Sequence, residues 1–194
     1  MTTAFFSRST VTDESRAITT LVAAFMNDPA VRWMYPDSIQ YLIHFPDFVR
    51  ALGGKAFETE TADFAKGFTG AALWLPPDVQ PDQMEIENVL QHSVDDRMMP
   101  EVVSIMEQMA ASHPEGPHWY LPFMGVEPNW HRRGVGTALM RRALQRCDRE
   151  RMPAYLENTN PQNLPFYEQF GFRAIGRIQA GSSPVITPML RRAG

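Results

Sequence analysis

Hydrophobic residues in the first fifty positions recur mainly at helical spacing. We expect a strand over residues 4–10, followed by an amphipathic helix that Thr10 opens as part of a capping box. Two further helices are predicted over residues 31–35 and 39–51, and Pro46 should kink or divide the longer one. The buried face of the first helix should carry Ile18, Leu21, Val22 and Phe25.

The pattern changes to extended spacing in the middle of the chain. Strands are predicted over residues 59–65 and 68–75, forming a hairpin around Lys66 and Gly67. Residues 78–117 are polar at first and then rich in methionine, and their spacing predicts one or two helices. A methionine stripe usually belongs to a core, although methionine also forms adaptable walls around irregular ligands.

The second half of the chain predicts a strand, a helix and a second strand in succession. Residues 119–126 and 153–158 are the two strands, and such a unit normally makes them parallel neighbours. A short helix over residues 164–170, a strand over 172–179 and a last strand over 185–190 that Pro188 interrupts should complete the domain. This order predicts a single α/β domain over residues 1–194, with three layers and a central mixed sheet.

Composition narrows the class of protein. The 194 residues are 44% hydrophobic and carry a net charge of −4, which argues against a general nucleic-acid binder. Cys147 is the only cysteine and lies on the hydrophobic face of its helix, so we expect a packed thiol and a reducing compartment. Residues 1–8 lack the hydrophobic run of a signal peptide, and no window reaches the length of a membrane span. A cytoplasmic protein without a membrane or nucleic-acid partner is predicted.

Residues 131–140 (His-Arg-Arg-Gly-Val-Gly-Thr-Ala-Leu-Met) join the first of these strands to an arginine-rich amphipathic helix. Gly134 and Gly136 lack Cβ atoms, so backbone N–H groups can approach a phosphate at the positive end of the helix. The spacing excludes a dinucleotide fingerprint, which needs a third glycine, and a P-loop, which needs a lysine. A tight connection without a ligand is the alternative. Most arginines of the following helix are expected to form a solvated face.

Two motifs in order resemble those of the GCN5-related N-acetyltransferases, the GNAT superfamily. The run Arg132-Arg133-Gly134-Val135-Gly136-Thr137 resembles the acyl-CoA pyrophosphate loop, although His131 stands where glutamine or arginine is usual. Downstream, Asn160 and the run Tyr167-Glu168-Gln169-Phe170-Gly171-Phe172 resemble the second signature of the family. Residues 118–121, 125–126, 153–157 and 163–168 are most similar to the puromycin N-acetyltransferase type, and the specific likeness covers about residues 118–172.

The resemblance implies a GNAT fold whose two central parallel strands splay apart to admit the pantetheine arm of acetyl-CoA. The cosubstrate would contact Met124, Gly125 and Val126, with an amide near Met124 as the oxyanion donor. Backbone amides and side chains of the run from Arg132 to Thr137 would hold the pyrophosphate. Asn160 and Asn163 would bind the pantetheine chain, or would only cap the helix that follows. No metal ion is implied.

The family comparison makes Tyr167 the acid that protonates the departing thiolate, a role that suits a phenol because it stays protonated at pH 7. A buried structural tyrosine is the alternative. Histone-acetyltransferase members carry a glutamate where this chain has Tyr120, so the base is expected to be Glu157, with Glu127 and His118 as substitutes or a water chain in its place. Glu157 could equally cap a turn.

These residues predict an acetyl-CoA-dependent N-acetyltransferase that acts by direct transfer on a small amine such as an antibiotic or metabolite. The alternatives are a non-catalytic acyl-CoA-binding or sensor module and a protein N-acetyltransferase. Residues 78–117 would form a helical insert near the acceptor site. The protein would work as a monomer or a homodimer, and the sequence does not identify the acceptor.

Overall fold

The computed structural model describes residues 11–193 and consists of one six-stranded mixed sheet with helices on both faces. The strand predicted over residues 4–10 and the capping Thr10 lie outside these residues. The helices are α1 (Val11–Phe25), α2 (Pro29–Met34), α3 (Ser38–Gly53), α4 (Lys55–Glu58), α5 (Gln83–Ser93), α6 (Met99–Ser112), α7 (Val135–Glu150) and α8 (Leu164–Glu168). The strands are β1 (Asp63–Phe64), β2 (Gly70–Leu75), β3 (Trp119–Val126), β4 (Ala154–Asn158), β5 (Arg173–Ala174) and β6 (Thr187–Arg191).

The strand order is β1-β2-β3-β4-β6-β5, and only the β3 and β4 pair is parallel. Neighbouring side chains of β2 enter two different cores, as its alternation requires. Leu73 packs on the face covered by α1 and α3, whereas Trp74 packs on the face covered by α7. The three-layer α/β architecture expected from the sequence is therefore confirmed.

Several boundaries differ from the sequence predictions. The strand expected over residues 59–65 is reduced to Asp63–Phe64, because helix α4 and a turn occupy the residues before it. Pro46 lies inside α3 without dividing it. The strand expected over residues 172–179 is limited to Arg173–Ala174, and Pro188 does not interrupt β6.

Pro188 pairs with Glu157 of β4 in register, and its carbonyl oxygen accepts from the amide of Ile175, so β6 continues through the proline.

A buried ion-pair cluster ties α7 to the first strand. The carboxylate of Asp63 is 2% exposed and accepts from Arg142 at 2.8 Å and from Arg146 at 2.6 Å. Arg142 and Arg146 are half-buried exceptions to the solvated face expected for most arginines of this helix. The buried carboxylate of Asp63 is tolerated because it has two cationic partners. The cluster fixes the helix that follows the glycine loop against the edge of the sheet.

Cys147 is a buried thiol on the inner face of α7, as its position in the sequence predicted. Burial raises its pKa to about 12, so it is a protonated packing residue. No helix between residues 11 and 193 is long and apolar enough to cross a bilayer.

Candidate active site

Strands β3 and β4 separate after two pairs of residues. They are in register only at Trp119 with Ala154 and at Tyr120 with Tyr155. Beyond these pairs, β3 continues along β2 and β4 continues along β6. The facing edges of residues 121–126 and 156–158 are therefore not paired with each other, and a wedge opens between them. The splayed parallel strands that the resemblance implied are present.

A bulge in β3 lies at the start of this wedge. Leu73 and Leu75 of β2 are two residues apart, yet their partners Phe123 and Tyr120 are three apart. The extra residue belongs to the stretch that contains Pro122, which has no N–H to give to a ladder. As a result Phe123 packs on the α1 face together with Tyr120, instead of on the α7 face.

The wedge opens into a cavity that is lined by residues from both faces of the sheet. Helices α2, α3 and α6 supply most of its wall on one face of the sheet, while α8 borders it on the other face. The part of the wall that α6 contributes consists of Val102, Ile105, Met106 and Met109. Four of the residues proposed from the sequence meet here: Met124, Glu157, Asn163 and Tyr167.

Glu157 is the buried carboxyl group of the cavity. It lies on β4, and its side chain is only 3% exposed. Burial raises its pKa from an ordinary 4.5 to about 7, although the nearby hydroxyls of Tyr120 and Tyr155 act in the opposite direction. Its Oε1 atom has no hydrogen-bond partner of good geometry. A carboxyl group with this pKa exchanges protons readily near neutral pH.

Tyr167 reaches the same cavity from α8, on the α7 side of the sheet. Its pKa is raised, first by burial and then by the charge of Asp28, so the phenol stays protonated. Among residues 11–193 its hydroxyl group makes no hydrogen bond. A protonated, unpartnered hydroxyl is therefore available to a bound molecule.

Asp28 is a second buried carboxyl group near the cavity. Its Oδ1 caps α2 by accepting from the amides of Ala30 and Val31, and its Oδ2 accepts from the hydroxyl of Thr159 at 2.6 Å. Burial raises its pKa. Asp28 thus links the start of α2 to the end of β4, where Thr159 lines the cavity.

Asn158 lines the cavity but was not proposed from the sequence. It is 2% exposed, and its Nδ2 amide has no partner in the residues that the structure describes. A buried and unsatisfied donor beside a cavity is expected to bind a ligand or water. No sequence signal marked it, because an asparagine at the end of a strand resembles an ordinary turn residue.

The glycine loop ends at an uncapped helix terminus. Gly134 has φ +79° at the N-cap of α7, and no side chain accepts from the first amides of that helix. Open space surrounds Gly134 where a Cβ would lie. Arg132, Arg133 and Gly134 are exposed, and Val135, Gly136 and Thr137 are half-buried. These free N–H groups and flanking cations can hold an anion.

Other proposed residues lie outside the cavity wall. The Oδ1 atom of Asn160 accepts from the amide of Gln162 and caps the turn Pro161–Asn163, which precedes helix α8. A Cβ on Gly125 would stand 2.5 Å from the Cβ of Ala24, so its glycine permits close contact between β3 and α1. Val126 lies beside Gly136.

Comparisons with known proteins agree with this architecture. Residues 100–172 match the Acetyltransferase (GNAT) family. An uncharacterized N-acetyltransferase of Schizosaccharomyces pombe is 26% identical over 184 residues, which cover 82% of this chain and 70% of that protein. The matched residues include strands β3 and β4, the glycine loop, and helices α7 and α8.

Solved GNAT structures share the fold over almost the whole domain. The histone acetyltransferase HPA2 and related acetyltransferase from Corynebacterium glutamicum aligns with a TM-score of 0.67 and 22% identity, over 100% of this chain and 98% of that one. Arylalkylamine N-acetyltransferase 2 from Aedes aegypti aligns over 100% of both chains, with a TM-score of 0.67 and 10% identity. At these identities the likeness establishes the GNAT fold.

Proposed function

We propose that this protein is an acetyl-CoA-dependent N-acetyltransferase that transfers an acetyl group directly to the primary amine of a small, largely apolar molecule. One observation carries the proposal. A single cavity passes between the splayed strands, with the carboxyl group of Glu157 on the α1 side and the phenol of Tyr167 on the α7 side. This arrangement supplies a base and an acid to one reaction centre.

Enzymes of the GNAT family generally use acetyl-CoA, and two features of this chain are suited to bind that molecule. The uncapped amides of α7 and the exposed Arg132 and Arg133 suit its pyrophosphate. The unpaired strand edges beside Met124 suit the amides of its pantetheine arm, and Asn163 at the rim suits the same arm. When bound, acetyl-CoA supplies the activated thioester.

The cavity wall supports an apolar acceptor. On the α1 side it consists of aromatic, aliphatic and methionine side chains such as Phe25, Trp33, Phe48 and Met106. No lysine or arginine lines the cavity within the part of the chain that the structure describes, and the buried carboxyl groups of Glu157 and Asp28 favour a cation. A single ammonium group on a hydrophobic body matches this wall. The likeness to the puromycin N-acetyltransferase type is compatible with such an acceptor.

In the proposed reaction Glu157 is the base and Tyr167 is the acid. Glu157 takes a proton from the ammonium group, and the neutral amine attacks the thioester carbonyl carbon. The C–S bond would break as the tetrahedral centre collapses, Tyr167 would give its proton to the departing sulfur, and the second proton lost by the nitrogen would restore the phenol of Tyr167. The Nδ2 group of Asn158 and the amide near Met124 are the candidates to stabilise the carbonyl oxygen.

The test is a thiol-release assay with acetyl-CoA and a panel of amines. We expect 2-phenylethylamine, tryptamine and hexylamine to react with a higher kcat/KM than spermidine, an aminoglycoside or a lysine peptide. Met106→Glu places a carboxylate in the acceptor wall and should move the preference toward diamines by about tenfold, which corresponds to ~1.4 kcal/mol. Met84→Glu is the matched control, because Met84 is 81% exposed on α5.

Three outcomes contradict the proposal. Binding of acetyl-CoA without acetylation of any amine identifies a non-catalytic binding module. Acetylation confined to the lysine peptide identifies a protein N-acetyltransferase. An equal shift in Met84→Glu and Met106→Glu removes the argument from the cavity wall.

A further inference from the structure

A chain of imidazole groups leads from Glu157 away from the cavity. The Nε2 atom of His113, just after α6, lies 3.5 Å from the Oε1 atom of Glu157. The Nδ1 atom of His113 lies 3.0 Å from the Nε2 atom of His118, and the Nδ1 atom of His118 lies 2.8 Å from the carbonyl oxygen of Gly116. Three polar contacts in series thus join a buried carboxyl group to a loop.

The carbonyl oxygen of Gly116 fixes the direction of this chain. Since a carbonyl only accepts, the neutral His118 ring carries its proton on Nδ1 and accepts at Nε2. His113 therefore donates from Nδ1 and presents the lone pair of Nε2 to Glu157. That lone pair lies on the atom 3.5 Å from the carboxyl oxygen, and a small movement of either side chain would bring the two groups into hydrogen-bond contact.

The ring of His113 lies among aromatic side chains. It packs against Tyr120 at 4.6 Å and Tyr155 at 4.5 Å between centroids, and burial, together with His118, lowers its pKa to about 4, so the ring is neutral at rest and passes a proton on without holding it. Burial and the charge of Glu157 raise the pKa of both phenols, so they stay protonated. His118 is half-buried, which leaves part of its ring open to solvent.

We propose that His113 and His118 form a proton outlet that returns to solvent the proton Glu157 takes from the acceptor amine. The proposal rests on the proposed function, since it requires Glu157 to act as the base. Protonated Glu157 gives its proton to Nε2 of His113 as the Nδ1 proton of His113 moves to Nε2 of His118. The His118 imidazolium then releases its Nδ1 proton to water, Glu157 is again a carboxylate, and tautomer exchange in the two rings restores the starting arrangement.

The outlet solves a problem set by the cavity. Amine and thioester must both occupy the space in front of Glu157 during the reaction, so they exclude water from that route. The outlet leaves from the other side of the carboxyl group, and His113 does not line the cavity wall. Proton release can therefore proceed while the substrates are bound.

The experiment compares His113→Phe and His118→Gln with the wild type and with His92→Gln. Phenylalanine keeps the ring packing at position 113, and glutamine keeps an acceptor beside His113, but neither transfers a proton. His92→Gln is the matched control, because His92 is exposed on α5 and bonds only to Asn88 of its own helix.

Because a positioned proton-transfer group contributes roughly 10²–10⁴-fold, we expect kcat at pH 7 to fall at least about tenfold in both outlet variants, with the KM for the amine unchanged. The solvent deuterium isotope effect on kcat should increase. Added imidazole should restore His118→Gln in proportion to its concentration and leave the wild type unaffected. Thermal melts identify any variant that fails to fold. If His113→Phe does not fold, the response of His118→Gln to imidazole tests the outlet by itself.

The outlet is refuted if His113→Phe and His118→Gln keep the kcat and the solvent isotope effect of the wild type. The same holds if kcat falls but imidazole restores nothing, which marks a structural role. In either case loss of activity in Glu157→Gln shows that the proposed function stands. If the wild type acetylates no amine, it is the proposed function that fails.

Discussion

Replacing Glu157 by glutamine gives the most demanding test of the site, because one carboxyl group must control both stability and rate. The glutamine has nearly the same shape and cannot ionise. The pKa of Glu157 rises from an ordinary 4.5 to about 7 in the folded protein. Since one pKa unit corresponds to ~1.36 kcal/mol, the ionised carboxylate costs the folded state about 3 kcal/mol above pH 7.

The sign of the effect follows from proton binding. Between pH 4.5 and about 7 the folded protein holds a proton on Glu157 that the unfolded chain has lost. The contribution of Glu157 to the free energy of unfolding is therefore largest below pH 4.5. It decreases as the pH rises from 4.5 to about 7 and is constant above that. Urea unfolding of the wild type and Glu157→Gln across pH 4–9 should show the difference between them change by about 3 kcal/mol.

The rate should also change with pH around the pKa of Glu157. It should increase as the carboxyl group ionises, whereas the stability decreases. The ionised fraction of a group with a pKa near 7 rises about tenfold between pH 6 and pH 8, so the ratio of wild-type to Glu157→Gln kcat/KM should rise about tenfold as well. Taking the ratio removes the titration of the amine itself, which both proteins share. A stability difference and a rate ratio that do not change with pH would refute the assignment of Glu157 as a buried base.

Three further predictions concern other parts of the fold. Tyr167→Phe should lower kcat by about 10²-fold while acetyl-CoA affinity, measured by calorimetry, stays the same, because only the donated proton is lost. Asp63→Asn should lower the free energy of unfolding by about 1–3 kcal/mol in urea, since Arg142 and Arg146 lose a charged hydrogen-bond acceptor but are themselves only partly buried. Gly125→Ala should cost about 1–3 kcal/mol, and Ala24→Gly in the same chain should recover part of it, because the two Cβ atoms would otherwise lie 2.5 Å apart.

The sequence predicted the architecture well where the periodic signal was long. Helix α1 and strand β3 were found at or close to their observed bounds, because each buries a regular set of positions. Short strands at the sheet edge were poorly predicted. Residues 59–65 and 172–179 have extended composition, but turns and neighbouring helices leave only two paired residues in each.

The site was only partly accessible to sequence reasoning. Tyr167 and Glu157 were named because a family pattern and a strand end pointed to them, and the structure brings both to the cavity. Asp28, His113 and Asn158 were not named. Their environment depends on contacts between elements that are far apart in the chain, such as the hydrogen bond from Thr159 to Asp28, and local spacing carries no trace of such contacts.

The open wedge between β3 and β4 has a consequence for how this protein can evolve. Its facing edges consist of main-chain N–H and C=O groups, which every residue except proline supplies equally. Substitutions in α6 and α3 can therefore remodel one end of the cavity while the surface between the strands stays the same. If the wedge binds the acyl donor, as proposed, a lineage of such proteins can change its acceptor and keep its donor, because the two would contact different parts of the chain.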